Sequence, residues 1–328
     1  MGKAKIISVI NYKGGVGKTV SAFNIGIGLN VYENASVLLI DLDPQCSLSE
    51  TCMKAYSRTY AKRESLSDLQ EEESINFVFK SYLNREFLDF DLKLNLDELV
   101  KKNFYRQEEE NSRNLDFIPA TLYSGDSDQT IQGLDEIERD ILCRNLERKS
   151  SMLVNVSILA RFLKDYQIDQ IYDYVIFDCP PANNLITQNA LMVSDYYLVP
   201  TIMDDMSTRG VGHIRHVIEK TFISSIHKEY KTLIKMSPKI SFLDFYRKDL
   251  PKILGVFETL KKSGCKTEEY RKRIVNDLNM PLFESVILHY KGISDEIGQG
   301  KCSLIYYKGL VQEIIEKINH DERNQSYE

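Results

Sequence analysis

Short apolar runs recur along the chain, each followed by polar or glycine-rich sequence. The first, residues 5–11 (KIISVIN), is β-branched and nearly continuous. A run without polar alternation is the pattern of a strand buried on both faces. Glycines 14, 15 and 17 interrupt it, and from Lys18 to Val31 apolar residues stand at 20, 23, 25, 27, 29 and 31. That segment is assigned to a helix, and residues 36–41 (SVLLID) to a second buried strand. Further strands are predicted over 115–119, 174–177, 196–199, 253–257 and 282–287, with helical patterns between most of them. Such alternation predicts an α/β fold: a mostly parallel twisted sheet with helices on both faces. Repeats and flexible linkers are missing from the sequence, so 1–328 is expected to be a single domain. Residues 51–113 break the pattern. They are charged, lightly apolar and rich in helix formers, and are expected to form a peripheral helical and loop insertion that covers the sheet or meets a partner.

Composition changes the picture in one place. The apolar share of 43% and charged share of 27% are those of an ordinary globular protein. The net charge of −6 argues, taken whole, against a nucleic-acid binder. It is an average over unlike parts. Residues 209–273 hold 16 Lys+Arg against 7 Asp+Glu, a local +9 against −15 for the rest. Six cysteines without a C-x-x-C pair exclude a zinc ribbon or thioredoxin-type site and fit reduced thiols in the cytoplasm. There is no apolar run long enough to span a membrane, and the last ten residues are polar and mostly acidic rather than a basic amphipathic anchor.

The candidate chemistry begins at the first glycines. Lys13-Gly14-Gly15-Val16-Gly17-Lys18-Thr19 lies between a buried strand and a helix. Glycines there let backbone N–H groups approach phosphate oxygens, and the helix N-terminus adds its dipole. Lys18 can reach the β- and γ-phosphates, and the Thr19 hydroxyl can bind Mg²⁺. Tyr12 stands where a standard phosphate loop has its first glycine. Asp41 and Asp43 follow the second strand, and Asp178 ends the apolar run 174–177, where a carboxylate can hold Mg²⁺ through water.

Lys13 gives the loop its particular character. The sequence resembles the deviant Walker A motif K-G-G-x-G-K-[ST] of the ParA/MinD superfamily of P-loop ATPases. Asp41-Leu-Asp43-Pro-Gln45 resembles that family's first switch, and residues 174–181 (YVIFDCPP) its Walker B strand and second switch. The likeness continues through 117–120 (FIPA), Val199-Pro200 with 207–210, 254–256, 283–287 and 294–301, sparing only about 51–113. Val20, Cys46 and the stretch 287–290 (ILHY, against a usual V-I-P-R) depart from the pattern. The resemblance implies ATP and Mg²⁺ as cofactors. The nucleotide would be bound by Lys13 to Val20 with Asp41 and Asp178, and the metal by Thr19, Asp43 and Asp178. It also implies catalytic roles for Lys13, Lys18 and Asp43. Lys13 would cross an ATP-closed homodimer to the partner's nucleotide, and Asp43 would place the attacking water.

Within the superfamily, the ParA/Soj type that partitions plasmids or chromosomes fits best. A MinD-like protein needs a membrane helix at its end, an iron–sulfur carrier needs clustered cysteines, and a tyrosine autokinase needs a tyrosine cluster. The loop starts at residue 13, which resembles the short ParA type without a preceding helix-turn-helix. The implied partners are a ParB-like centromere-binding protein and non-specific DNA, with the protein cytoplasmic and nucleoid-associated. Lys220, Lys228, Lys261, Lys262, Lys266 and Arg271 are the candidate DNA contacts. The alternatives are a positioning ATPase for a cargo other than DNA and a MinD-like spatial regulator.

Overall fold

The computed structural model describes residues 4–88, 94–106, 113–122, 131–148, 152–220 and 251–325, with 228, 229, 232 and 235 between the last two spans. The described chain runs β1 (Lys5–Val9), α1 (Lys18–Glu33), β2 (Val37–Asp41), α2 (Ser47–Tyr60), α3 (Ile75–Leu88), α4 (Leu96–Leu99) and β3 (Leu115–Ile118). It continues through α5 (Leu134–Arg148), α6 (Met152–Asn155), α7 (Ile158–Asp165), α8 (Ile168–Ile171), β4 (Tyr174–Asp178), α9 (Leu185–Val193), β5 (Tyr196–Thr201) and α10 (Asp205–His216). β6 (Lys252–Lys261), a helix at Glu268–Lys272, β7 (Leu282–Leu288) and helices at Lys291–Gly298 and Leu304–Gln325 follow.

The seven strands form one sheet in the order β3-β2-β4-β1-β5-β6-β7. Every neighbouring pair is parallel. This is the parallel α/β sheet expected from the sequence, and each predicted run became a strand. The reason is burial. Every residue of β2, β3, β4 and β5 is shielded from solvent, so no position needs a polar side chain.

α1 is buried on nearly all sides, which its mixed sequence did not announce. Two interior glycines allow this. A Cβ on Gly26 would stand 2.5 Å from Leu39, and one on Gly28 would stand 2.6 Å from Val311. The lost helix propensity, about 1 kcal/mol per glycine, is the cost of wedging α1 between β2 and the last helix. Asn34, left-handed with φ 47°, ends α1.

The charged segment 51–113 is less peripheral than its composition suggested. Ile75, Val78, Phe79, Tyr82 and Leu83 form one buried face of α3, and Leu99, Val100 and Phe104 are also in the core. Lys101 then forms an antiparallel bridge with Phe117 of β3. Lys101 is itself mostly buried and answered by Glu73 at 2.6 Å and Glu64 at 3.4 Å. Among the described residues, no helix is long and apolar enough to cross a membrane.

Candidate nucleotide site

β1 lies where the strand order reverses. β4 and β2 stand on one side of it, β5 and β6 on the other. Loops leaving strands at such a point open a crevice at their carboxyl ends. Register puts Val9, Asp178 and Asp41 in one row across β1, β4 and β2. The glycine loop and both acidic motifs therefore meet at one edge, as their order along the chain had suggested.

The loop is held from several sides. Asn11 donates to the Pro200 carbonyl at 2.8 Å and accepts the Lys13 N–H at 2.9 Å, anchoring the loop start to the end of β5. The Thr259 hydroxyl of β6 donates to the Val16 carbonyl at 2.8 Å. Gly17 has φ 81° and caps α1, a left-handed conformation that strains any residue with a Cβ. Gly14 and Gly15 are exposed, and a Cβ on either would meet nothing within 4 Å. The mouth of the loop is therefore open. Asn11 and Thr259 were missed by sequence reasoning, because nothing near them in sequence signals their contacts.

Lys18 is buried and donates to the Lys13 carbonyl at 3.3 Å. Burial lowers its pKa, against the pull of Asp178 and Asp43. The two buried carboxylates differ in a telling way. Asp41 is fully engaged: Oδ1 accepts from Asp43 N–H at 3.0 Å, and Oδ2 from the Ser49 N–H and hydroxyl at 2.8 and 2.6 Å. Burial still pushes its pKa up to about 6. Its work is to hold the turn that carries Asp43. Ser49 in turn accepts the Ala120 N–H at 2.8 Å, tying that turn to the residues after β3.

Asp178 is fully buried, yet neither of its oxygens closes a hydrogen bond of good geometry. Burial, then the Asp41 charge, raises its pKa well above the usual carboxylate range; the nearby Thr19 hydroxyl and Lys18 pull the other way. A buried carboxylate so poorly satisfied is costly. Beside Thr19 and Asp43 it has the donor set and the unmet charge that suit an oxygen-seeking cation such as Mg²⁺. Cys179, next in sequence, is a buried thiol whose pKa burial pushes up to about 12, so it packs rather than reacts.

Lys13, half-exposed, donates Nζ to Asp204 Oδ2 at 2.9 Å and Ser207 Oγ at 2.8 Å. Both acceptors belong to the first turn of α10, where Asp204 is the N-cap and accepts Ser207 N–H at 2.7 Å. Tyr12 reinforces this link, its ring 6.0 Å from that of His213 in an edge-on contact.

The basic residues sort into two kinds. Lys220, Lys228, Lys262 and Lys266 are exposed. Lys261 and Arg271 turn inward to Glu258, a buried carboxylate on β6, at 3.8 and 3.0 Å. Arg271 also donates to the Phe283 carbonyl at 2.9 Å. Most of 221–250 lies outside the described residues. A groove of about 1200 Å³ between α2 and the helix Lys291–Gly298 is walled by Met53, Arg58, Leu66 and Lys301, and takes no wall from the phosphate loop.

Fold and loop together define a P-loop nucleotide-binding protein with a doubly wound parallel sheet. A family model described as an AAA domain matches residues 4–235. The chain belongs to that AAA-domain family, and proteins named Soj and ParA are among its relatives. It is 27% identical over 215 residues to the sporulation initiation inhibitor protein Soj of Bacillus subtilis, covering 65% of this chain and 64% of Soj. It is also 27% identical over 219 residues to an uncharacterised Mycobacterium tuberculosis protein, covering 67% of this chain; the chain spans about half, 53%, of that relative. In structure it is similar to Cyanothece McdA in complex with ATP, with TM-score 0.61, 17% identity and coverage of 97% and 98% of the two chains. It is likewise similar to pNOB8 ParA bound to nonspecific DNA, with TM-score 0.54, 17% identity and coverage of 97% and 99%.

Proposed function

We propose that this chain is a Mg²⁺-dependent ATPase acting in plasmid or chromosome partition. In this reading ATP closes a homodimer, the dimer holds non-specific DNA, and a ParB-like centromere-binding protein stimulates slow hydrolysis and release. The protein would then sit on the nucleoid in the cytoplasm. The observation that carries the reading is the open glycine loop set against the fully buried, poorly satisfied Asp178 carboxylate. ATP bound to McdA and DNA bound to pNOB8 ParA add support.

Each residue then has a task. Backbone N–H groups from Gly14 to Thr19 and the α1 dipole cradle the phosphates. The buried Lys18 ammonium, desolvated beforehand, is poised for the β- and γ-phosphates. Thr19, Asp43 and Asp178 would hold Mg²⁺, which neutralises charge building on the phosphate oxygens. Asp43, aimed by Asp41, positions the attacking water. Lys13 reaches the nucleotide of the second subunit. Lys220, Lys228, Lys262 and Lys266 supply phosphate contacts on DNA, doubled by dimerisation.

The test is binding of non-specific duplex DNA across a salt series, with ATP, ADP and no nucleotide. ATP-dependent binding whose logarithm falls linearly with log salt supports the reading. ATP-dependent dimers that ignore DNA at low salt would overturn it in favour of a positioning ATPase for another cargo.

A further inference from the structure

The buried face of α3 carries an amide, Asn76, among Ile75, Val78 and Phe79. A buried amide is tolerated where its hydrogen bonds are met. Asn76 Nδ2 donates to the Thr121 and Gln132 carbonyls at 2.9 and 2.8 Å, and Oδ1 accepts the Thr121 N–H at 3.2 Å. The Ile75 N–H donates to the Pro119 carbonyl at 2.8 Å. The residues that follow β3, 119–121, are thus held by α3 on one side and by Ser49 of α2, which accepts the Ala120 N–H, on the other. That last bond runs on into the site. A serine hydroxyl has one proton, and with Ala120 N–H donating to Ser49 Oγ that proton is directed to Asp41 Oδ2 at 2.6 Å. Asp41 Oδ1 takes the Asp43 N–H at 3.0 Å. Asn76, Ser49 and Asp41 are all buried, so each bond is stronger than at the surface and its loss is felt more.

We propose that Asn76 is a positioning residue for hydrolysis: it fixes residues 119–121 so that Ser49 and Asp41 aim Asp43 at the attacking water. The inference rests on the reading that Asp43 places that water. Peptide planarity makes the contact a lever. The Pro119 carbonyl and the Ala120 N–H belong to one rigid plane, held at one end by Ile75 and at the other by Ser49. Asn76 pins the next two planes, one through the Thr121 N–H and one through the Thr121 carbonyl. Releasing them lets the Ala120 N–H tilt away from Ser49, and the turn that carries Asp43 loses its aim. The charged insertion, to which α3 belongs, thereby has a task in the chemistry although none of these bonds touches the phosphate loop.

The experiment separates aim from bracing. Asn76→Ala and Ser49→Ala are compared with Phe79→Leu, a core truncation on the same helix that leaves every bond of the path in place. Steady-state ATP hydrolysis gives kcat, titration with a fluorescent ATP analogue gives Kd, and thermal melting gives the stability loss. Both path variants should lose kcat roughly ten- to a hundredfold, the scale of a reacting group misplaced by about 1 Å, with Kd unchanged within about twofold. The double variant should fall little further than the worse single one, because the two residues act through one path. Phe79→Leu should lower Tm and keep kcat. If Asn76→Ala fails to fold, Asn76→Asp carries the same expectation: it keeps the shape and the acceptor for Thr121 N–H but loses both donated bonds. An Asn76 variant that loses no more turnover than Phe79→Leu would overturn the proposal and leave Asn76 a brace. A loss confined to Kd would overturn it too. Asp43→Ala distinguishes the underlying reading: if it hydrolyses ATP normally, the role of Asp43 fails, whereas an inactive Asp43→Ala beside a fully active Asn76→Ala rejects the path alone.

Discussion

Arg271 separates two uses of a basic residue. Its position in a +9 segment suggests DNA contact, but its guanidinium turns inward. It donates to Glu258 at 3.0 Å and to the carbonyls of Phe283 and Glu284 at 2.9 and 3.5 Å. Glu258 is 1% exposed, and one of its oxygens is already without a partner. Arg271→Ala would leave that carboxylate facing only Lys261, 3.8 Å away. Removing one side of a buried pair costs about 3–5 kcal/mol. Arg271 is 21% exposed and Lys261 remains, so the low end, about 3 kcal/mol, applies. Unfolding entropy of about 2.1 cal/mol/K per residue gives roughly 0.7 kcal/mol/K for this length, hence a Tm drop of about 4 °C. Calorimetry or intrinsic tyrosine fluorescence on heating measures it. Replacing both partners with Leu should recover most of the loss, because an apolar pair needs no counter-charge. Lys262→Ala, exposed and away from Glu258, should stay within about 0.5 kcal/mol. If Arg271→Ala melts with the wild type and instead lowers the salt slope of DNA binding by about one, the structural role is refuted and the residue is a phosphate contact.

Other outcomes follow from the site. Asp43→Ala should bind ATP and dimerise but lose hydrolysis by about two orders of magnitude or more; phosphate-release assays beside nucleotide titration would expose a wrong assignment if turnover persists. Lys13→Gln should fold, bind nucleotide as a monomer and fail to form ATP dimers, read by light scattering. At the far end of the sheet, Asp173 is partly buried, which raises its pKa, but the Ser36 N–H and hydroxyl (2.7 Å each) and Arg113 (2.8 Å) outweigh this and hold it low. A lowered carboxyl stabilises the fold above its unfolded pKa, about 3.9, and the benefit fades as pH falls through the folded value. Asp173→Asn should therefore flatten the acid limb of the urea-midpoint curve below roughly pH 4; an unchanged limb would remove the group from acid unfolding.

What the sequence made legible follows from burial. Strands shielded on both faces write themselves as unbroken apolar runs, which is why β2 to β5 stand out; the half-exposed β7 was also placed, and only strand ends shift. β6 extends to Lys261, past the apolar run, because Glu258 and Thr259 are polar yet buried. The core contribution of α3 was obscured: its apolar residues keep helical spacing, but Glu71 to Glu73 and the acidic residues beyond dilute the average. In the site, the residues of the three motifs are local patterns and were readable. Asp204, Ser207, Ser49 and Thr259 were not, since each acts through a contact set by the tertiary fold. Lys13 meets Asp204 across 191 residues, and Thr259 meets Val16 across 243.

The bridge between Lys101 and Phe117 has a consequence for how this chain can vary. β3 is the last strand of the sheet, and its outward N–H and C=O groups would otherwise be a template for another strand. Lys101 exchanges two backbone bonds with Phe117, at 2.9 and 3.1 Å, and the Phe104 N–H donates to the Leu115 carbonyl at 3.0 Å. The short stretch 101–104 is thus a selvedge that stops the weave from running on. A shortened relative could lose much of the charged insertion and stay monomeric in its unfolded-to-folded passage only if it kept this stretch. Trimming it would leave the outward N–H and C=O groups of β3 open to pairing with another strand.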